Sequence, residues 1–221
     1  MMKIFLDTAN LNDIKKWNDT GIVSGVTTNP SHLSKEGGNI MKLLSDICLL
    51  MSDKPVSVEV TQTTPEDVYK QAKKIITIAP NIVVKIPCHK DYLTIIKRLI
   101  EEGVPLNITL IFTLVQSLFM CKLGVRYISP FIGRADDIGI DGSLVLHEIR
   151  EMIDLYGFEK TKIIAASIRH VRHLHEAINA GSDIVTLPIS LLETVLSHPL
   201  TDHGITKFLD DWKKLGITQF P

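Results

Sequence analysis

The chain has 221 residues, of which 45% are hydrophobic and 22% charged, values typical of a globular domain with a sizeable apolar core. Its 24 basic and 25 acidic side chains nearly balance, so we expect a small-molecule ligand held by local charges, with neither nucleic acid nor a membrane as partner. Three cysteines without C-x-x-C spacing, and no signal-type N-terminus, predict a cytoplasmic protein without disulfides or a structural zinc site.

Short segments rich in β-branched residues alternate with longer segments that carry apolar residues at three- and four-residue spacing. The predicted strands are residues 3–8, 25–29, 56–60, 81–87, 105–112, 127–133, 162–167 and 183–189. Helical segments such as 65–79, 91–103 and 143–157 lie between them. A glycine follows four of the helical segments, where a left-handed residue would end a helix: Gly103, Gly124, Gly157 and Gly181.

Eight repeated βα units without a glycine-rich dinucleotide motif favour a closed barrel over a doubly wound sheet. We therefore predict a single α/β domain over residues 1–221, folded as a (β/α)8 TIM barrel. After the eighth strand, residues 190–200 and 201–216 predict one or two further helices, more than a minimal barrel needs. We expect the extension at 201–216 to serve an oligomer interface.

Polar side chains occur near the carboxyl ends of most predicted strands, although a parallel sheet covered by helices should be apolar there. Alternation places these side chains on one side of their strands, with Ile108 and Leu110 facing the other way. The carboxyl ends of barrel strands are where barrel enzymes carry their active sites. The residues concerned are Asp7, Thr27, Asn29, Ser57, Glu59, Lys85, Asn107, Thr109, Ser129, Ser167 and Arg169.

Structural explanations compete with functional ones at these positions. Asp7 and Asn29 precede segments that begin helices, where they would serve as N-caps. Lys85 is harder to explain, because a buried ammonium group is costly unless it pairs with Asp7 or Glu59 or its stem snorkels. In the functional alternative, desolvation favours the neutral amine, which attacks a ketone and forms an iminium. Asp7 and Glu59 are then candidates for moving protons.

Seven motifs, in order along nearly the whole chain, resemble those of the transaldolases: LDTAN, GVTTNPS, VSVEV, VVKIP, NITLIF, SPFIGR and AASIR. The compact chain is most similar to the small subfamily that includes the fructose-6-phosphate aldolases. This resemblance implies transfer of a dihydroxyacetone unit from fructose 6-phosphate or sedoheptulose 7-phosphate to an aldose phosphate, in the non-oxidative pentose phosphate pathway. It also implies that no metal and no organic cofactor is needed, and that the assembly is a pentamer or decamer.

The same resemblance assigns roles to individual residues. Lys85 forms the Schiff base, Asp7 is the acid/base on the substrate hydroxyl, and Glu59 with Thr109 holds the water used in carbinolamine chemistry. Three residues resemble the family's phosphate site, which guanidinium groups and a hydroxyl suit: Arg134, Ser167 and Arg169. Five surround the dihydroxyacetone unit: Thr27, Asn29, Asn107, Ser129 and Phe131.

The aldolase members of the subfamily release free dihydroxyacetone, and they carry tyrosine and glutamine where this chain has Phe131 and Glu59. A phenyl ring has no proton to donate to the intermediate, so we expect transfer here. A deoxyribose-phosphate aldolase-like lyase is disfavoured, because no second lysine lies in the neighbouring strands. A barrel that only binds a phosphorylated metabolite remains as a non-enzymatic alternative.

One group of histidines suggests a metal site at first sight. His170, His173 and His175 lie close together along a predicted helix, but their offsets do not put all three on one face. We therefore predict solvated helix positions and no metal.

Overall fold

The computed structural model of the protein describes residues 1–216. Eight strands lie within this range: β1 (Lys3–Asp7), β2 (Val23–Thr27), β3 (Val56–Glu59), β4 (Ile82–Pro87), β5 (Leu106–Ile111), β6 (Tyr127–Pro130), β7 (Lys162–Ala165) and β8 (Ile184–Leu187). They are all parallel and form one closed barrel in the order of the chain, with β8 paired to β1. The predicted (β/α)8 TIM barrel is confirmed.

Helices follow each strand of the barrel. In chain order they are α1 (Leu11–Asn18), α2 (Pro30–Glu36), α3 (Ile40–Leu50), α4 (Pro65–Ile76), α5 (Leu93–Glu101), α6 (Leu114–Leu123), α7 (Ile132–Asp136), α8 (Gly142–Tyr156), α9 (Val171–Asn179), α10 (Ile189–Leu196) and α11 (Pro199–Lys214). A short 3-10 helix, Lys90–Tyr92, precedes α5. All four glycines predicted to end helices have the left-handed φ that the prediction requires.

Five strands supply the buried side chains of the core cluster, and some of these side chains meet across the barrel interior. Phe5 and Tyr127 pack edge to face with ring centroids 6.4 Å apart. Gly25 leaves room for the Phe5 ring, because a Cβ there would lie 2.6 Å from its carbons. By alternation, Asp7 and Lys85 face the same interior one step closer to the carboxyl ends. The core cluster consists of Phe5, Val83, Tyr127, Ile164 and Ile184.

The contacts divide the chain into a barrel unit, Met1–Ile189, and a second unit that begins at Ser190. The predicted extra helices are present as α10 and α11. Helix α11 has no buried residue, and large apolar side chains on it are exposed: Leu200, Ile205, Phe208 and Leu209. The single domain over residues 1–221 stays a prediction, and its last five residues lie outside the described range. No described helix is long and apolar enough to cross a membrane.

Candidate active site

A cavity of about 380 Å³ lies at the carboxyl ends of the barrel strands. Nine of the predicted site residues line it: Asp7, Thr27, Asn29, Glu59, Lys85, Ser129, Phe131, Arg134 and Ser167. The other three do not. Asn107 and Thr109 are fully buried, and Arg169 is exposed. The structure therefore brings most of the predicted site residues together in one cavity. The roles of these residues stay predictions.

Lys85 lies on β4 at the base of this cavity, with 5% of its surface exposed. Glu59 is its register partner on β3, and the Glu59 Oε2 lies 2.9 Å from the Lys85 Nζ. The ammonium group also donates to the backbone carbonyl of Thr28 at 3.4 Å. These partners satisfy a buried charge, and they leave the Glu59 carboxylate close enough to accept a proton from the amine.

Asp7, the last residue of β1, is held by two donors from neighbouring elements. The Thr27 hydroxyl on β2 donates to Asp7 Oδ1 at 3.0 Å, and the His32 Nε2 on α2 lies 3.4 Å from the same oxygen. Burial raises the pKa of the Asp7 carboxyl, but the hydrogen bond and charge of His32, the charge of Lys85 and the Thr27 hydroxyl lower it more. The net pKa lies below its usual value, so Asp7 rests as a carboxylate suited to act as a base.

A chain of hydroxyl groups supports Asp7 from across the barrel seam. The Thr27 and Thr186 oxygens lie 2.6 Å apart. Since a hydroxyl has one proton and Thr27 gives its own to Asp7, Thr186 on β8 must donate to Thr27. The first, second and last strands of the barrel therefore share one hydrogen-bonded path that ends on the carboxylate.

A second polar group joins strands β3, β5 and β6 beside the cavity. The Asn107 amide donates to the Ser57 Oγ at 3.2 Å and accepts from the Ser129 hydroxyl at 2.7 Å. Asn107 is fully buried, so Ser129 is the member of this group that reaches the cavity. Thr109, also on β5, has a buried hydroxyl without a hydrogen-bond partner among the described residues.

Strand β5 carries an irregularity that sequence alternation does not reveal. Leu110 has a left-handed φ of 56°, and the pairing of β5 with β6 shifts register between Ile108 and Ile111. The prediction that Leu110 faces away from the site is wrong, because Leu110 lies at this irregularity and lines the cavity. Phe131 also lines the cavity, and its ring centroid lies 6.0 Å from the Lys85 Nζ.

The predicted phosphate residues lie where β7 and β6 run into their helices. Arg134 on α7 lines the cavity and stacks on Phe131, with its guanidinium carbon 5.0 Å from the ring centroid. Ser167 lines the cavity as predicted; it follows β7, which ends at Ala165, and its backbone has a left-handed φ of 59°. Arg169 is instead paired with Asp137 through both guanidinium nitrogens, one contact being 2.6 Å.

His173 anchors the loop that carries these residues. Its Nδ1 accepts the backbone N–H of Arg169 at 3.2 Å, so Nε2 carries the proton of the neutral ring and faces the Asp136 carboxylate at 2.7 Å. The prediction of a solvated position is wrong for His173, which is 3% exposed, and is confirmed for His170 and His175. The described residues contain no group of three or more His, Cys, Asp or Glu side chains arranged to hold a metal ion.

Asn29 both caps a helix and lines the cavity. Its side chain caps α2 by accepting the backbone N–H of His32 at 2.9 Å, as the N-cap alternative predicted, and it also lines the cavity. Asp7 is not an N-cap, since Asn10 caps α1.

Some residues that line the cavity were not predicted from the sequence: Pro30, Ser31, His32, Leu110, Ala166 and Thr186. A signal existed for Thr186, a polar residue in the eighth strand on the same side as Ile184. His32 follows Asn29 by one helical turn, but nothing in the sequence relates it to Asp7. Leu110 had no signal, because a left-handed leucine is uncommon.

Comparisons with known proteins agree with this arrangement. The family model described as Transaldolase/Fructose-6-phosphate aldolase matches residues 4–218. A probable transaldolase of Hydrogenobaculum sp. is 48% identical over 219 residues, which is 99% of this chain and 100% of that protein. One of Lactiplantibacillus plantarum is 47% identical over 218 residues, with coverages of 99% and 100%. One of Methanococcus maripaludis is 45% identical over 212 residues, with coverages of 96% and 98%.

The family match begins in the first strand of the barrel and extends beyond the last residue of α11, so it spans all eight strands. The relatives are similar in length to this chain, so the likeness concerns the whole barrel and not a shared fragment. The chain belongs to the transaldolase/fructose-6-phosphate aldolase family.

Proposed function

We propose that the protein is a transaldolase that moves a dihydroxyacetone unit between sugar phosphates through a Schiff base on Lys85. The observation that carries this proposal is the position of Lys85, a buried amine at the base of a polar cavity, 2.9 Å from the Glu59 carboxylate. A lysine with a purely structural role would make the same ion pair. Such a role does not explain why Lys85 also lines a cavity with a second carboxylate, that of Asp7.

The reaction begins at the ketone carbon of the donor sugar. Glu59 accepts a proton from the ammonium group, and the freed amine of Lys85 adds to C2 of fructose 6-phosphate or sedoheptulose 7-phosphate. The resulting carbinolamine loses its hydroxyl as water and becomes an iminium. Glu59 and Thr109 position the water that carries protons in this step, which gives the otherwise unpaired Thr109 hydroxyl a partner.

Cleavage then needs a base and an electron sink. The Asp7 carboxylate removes the proton of the C4 hydroxyl, the C3–C4 bond breaks, and its electron pair neutralises the iminium to give an enamine on Lys85. The aldose phosphate leaves with the C4 carbon as its aldehyde. In the second half, the enamine attacks an acceptor aldehyde, erythrose 4-phosphate or glyceraldehyde 3-phosphate, and protonated Asp7 returns its proton to the new hydroxyl.

Binding roles follow from the cavity lining. Asn29, Ser129 and Thr27 offer amide and hydroxyl groups to the three-carbon unit, and Asn107 orients Ser129 from behind. Arg134 and Ser167 are available to a phosphate group, whereas Arg169 reaches it only by leaving Asp137. Since the iminium acts as the electron sink, the reaction needs neither a metal nor an organic cofactor.

We further infer that the enzyme works as a cytoplasmic homo-oligomer, with α11 of one subunit packed against another. The support is the row of exposed apolar residues on α11, at positions 205, 208 and 209, and the pentamers or decamers that the family resemblance implies. The three cysteines are all free thiols, as expected in a reducing compartment.

The test uses fructose 6-phosphate with and without erythrose 4-phosphate, and follows sedoheptulose 7-phosphate, glyceraldehyde 3-phosphate and free dihydroxyacetone. Borohydride is added in parallel with donor sugar to trap the iminium for mass spectrometry. Two variants serve as controls. Lys85→Ala removes the amine, and Lys85→Arg keeps a positive charge beside Glu59 but cannot form an iminium.

We expect sedoheptulose 7-phosphate only when the acceptor is present, with a trapped three-carbon adduct on Lys85 and neither signal in the variants. Release of dihydroxyacetone without acceptor at a comparable rate would instead make the enzyme an aldolase and show that Phe131 does not favour transfer. Full activity in a well-folded Lys85→Ala variant would overturn the Schiff-base proposal.

A further inference from the structure

His32 is an ionisable residue of the cavity that the proposed reaction does not use. Its Nε2 lies 3.4 Å from Asp7 Oδ1, and its side chain is 23% exposed, so the ring contacts both the carboxylate and the open cavity. The Asn29 side chain holds the His32 backbone N–H at 2.9 Å. The N-cap of α2 therefore fixes where the ring stands relative to the carboxylate.

The contacts of Asp7 are asymmetric. Both the Thr27 hydroxyl and the His32 ring reach Oδ1. No described residue makes a hydrogen bond or an ion pair to Oδ2. A carboxylate held in this way presents one oxygen to an incoming group while the other is anchored from two elements, β2 and α2.

We propose that His32 is a positioning residue for Asp7: it anchors Oδ1, so that Oδ2 points at the substrate hydroxyl. This inference rests on the proposed function, because the task of Asp7 comes from it. With Thr27 as its single donor, the Asp7 carboxylate could still rotate about the Cβ–Cγ bond. A second donor on another element fixes the plane of the carboxylate.

The pH consequence depends on the charges that face Asp7. These are His32 from α2 and Lys85 from β4, while Thr27 from β2 is uncharged. Glu59 and Arg134 are the remaining ionisable residues of the cavity lining. Burial raises the pKa of Asp7, and His32 opposes burial by a hydrogen bond and by charge. Without His32 the pKa of Asp7 therefore rises, and the base is lost at a higher pH.

The first test does not depend on turnover. Aspartate labelled with 13C at the side-chain carboxyl reports the titration of Asp7 by NMR, with its signal assigned from Asp7→Asn. His32→Leu removes the donor and the charge, and His32→Gln keeps a neutral donor. We expect the Asp7 midpoint to move to higher pH in His32→Leu and to move less in His32→Gln. An unchanged midpoint in His32→Leu overturns the proposal.

The second test uses steady-state kinetics of transfer between pH 5 and 9. We expect kcat of His32→Leu to fall roughly ten-fold near neutral pH with little change in KM, and the acid limb of its profile to move to higher pH. His32→Gln is expected to recover kcat near neutral pH. A rise in KM with unchanged kcat would make His32 a substrate contact instead and would overturn the positioning role.

The two proposals fail in different ways. If Lys85→Ala retains transfer activity, the proposed reaction fails, and the NMR titration still decides whether His32 controls the Asp7 carboxyl. If Lys85 is trapped but both His32 variants match the wild type in titration and in pH profile, the reaction stands and the role of His32 is refuted.

Discussion

Thr109 carries a buried hydroxyl that no described residue satisfies, in contrast to Thr28, whose hydroxyl donates to the Ser57 carbonyl at 2.9 Å. Both side chains are fully buried. Threonine and valine have nearly the same shape, so replacement by valine removes only the hydroxyl. The two positions therefore allow a hydroxyl proposed to act in the reaction to be compared with one that makes a hydrogen bond within the fold.

For Thr109→Val we predict a loss of transfer activity of roughly 10²-fold, because the water beside Glu59 loses a partner. The free energy of unfolding should change by less than about 0.5 kcal/mol, since no hydrogen bond within the protein is lost. For Thr28→Val we expect the reverse, a cost of about 1 kcal/mol with a smaller effect on activity. Urea denaturation and initial rates measure both, and equal destabilisation by the two changes would refute the distinction.

At the scale of single residues, the sequence predicts the polar side chains that regular strands carry. Asp7 and Lys85 are found by alternation, and both lie within the strands of the structure, Asp7 as the last residue of β1 and Lys85 inside β4. Alternation fails at Leu110, which has a left-handed φ and lines the cavity although its place in the strand predicted the opposite side. It also does not predict which side chains meet across the barrel, and for this reason the contact between His32 and Asp7 was not foreseen.

At the scale of elements, α7 and the segment after β7 approach each other closely at Gly133. The Gly133 backbone N–H donates to the Ser167 carbonyl at 3.0 Å. A Cβ at this position would lie 2.5 Å from that carbonyl oxygen and 2.9 Å from the Arg169 side chain. Only glycine lets α7 and the segment after β7, which carry the residues proposed to bind phosphate, pack this closely.

We predict that Gly133→Ala pushes the Ser167 segment away from α7 and raises KM for fructose 6-phosphate roughly ten-fold, with a loss of stability of about 1–3 kcal/mol. A donor without a phosphate, such as dihydroxyacetone, should be affected less. Gly204→Ala on α11 is the control, because nothing lies within 4 Å of its added Cβ and alanine favours a helix. Equal effects on both donors would separate Gly133 from phosphate binding.

The boundaries of strands and helices are where the sequence pattern predicts the structure less well. The segment 127–133 was predicted as one strand, but β6 ends at Pro130 and α7 begins at Ile132. The second strand lies at Val23–Thr27 instead of 25–29, because Asn29 leaves the strand to cap α2. Short helices such as α7 begin inside apolar runs, and tertiary contacts decide their start.

At the scale of the whole molecule, four carboxyl groups of residues 1–216 have a lowered pKa. For Asp7 and Asp136, burial raises the pKa, but hydrogen bonds and histidine charges together lower it by more. For Glu102 and Asp137, hydrogen bonds from Lys73 and Arg169 are the largest cause. A carboxyl group with a lowered pKa in the folded state stabilises the fold above its unfolded pKa, and this contribution is lost as pH falls.

We therefore predict that the contribution of these groups to the free energy of unfolding is constant from about pH 5 to neutral pH. Below about pH 4 the free energy of unfolding should decrease. Urea titrations at a series of pH values measure it. Asp136→Asn should flatten part of this acid decrease, because the group no longer titrates. A wild-type stability that rises on acidification below pH 4 would contradict the assignment.

The exposed apolar side chains of α11 set the expectation for assembly. We predict that Phe208→Glu reduces the assembly size measured by light scattering, because it places a charge where an apolar contact is proposed. Lys207→Glu, the next residue on the same exposed helix, is the matched control and should leave the assembly intact. An unchanged size in Phe208→Glu, or the same loss in the control, would refute the role of α11.

The whole fold was the easiest level to predict, because eight repetitions of one βα pattern support each other even where single boundaries are wrong. Closure of the barrel was predicted from the number of units and from the missing dinucleotide motif. The C-terminal helices were predicted from apolar spacing, and the expected role of residues 201–216 in an oligomer interface stays a prediction, since an exposed apolar face does not name what covers it.

The hydrogen bond between Thr27 and Thr186 spans 159 residues of sequence, and it has a consequence for synthesis. At about 5–20 residues per second, a ribosome makes Thr186 roughly 8–32 s after Thr27. During that interval β1 has no partner on one side and Asp7 lacks the end of its hydroxyl chain. The nascent enzyme therefore has its base long before it has a finished site, and we expect no N-terminal fragment that stops short of β8 to be active.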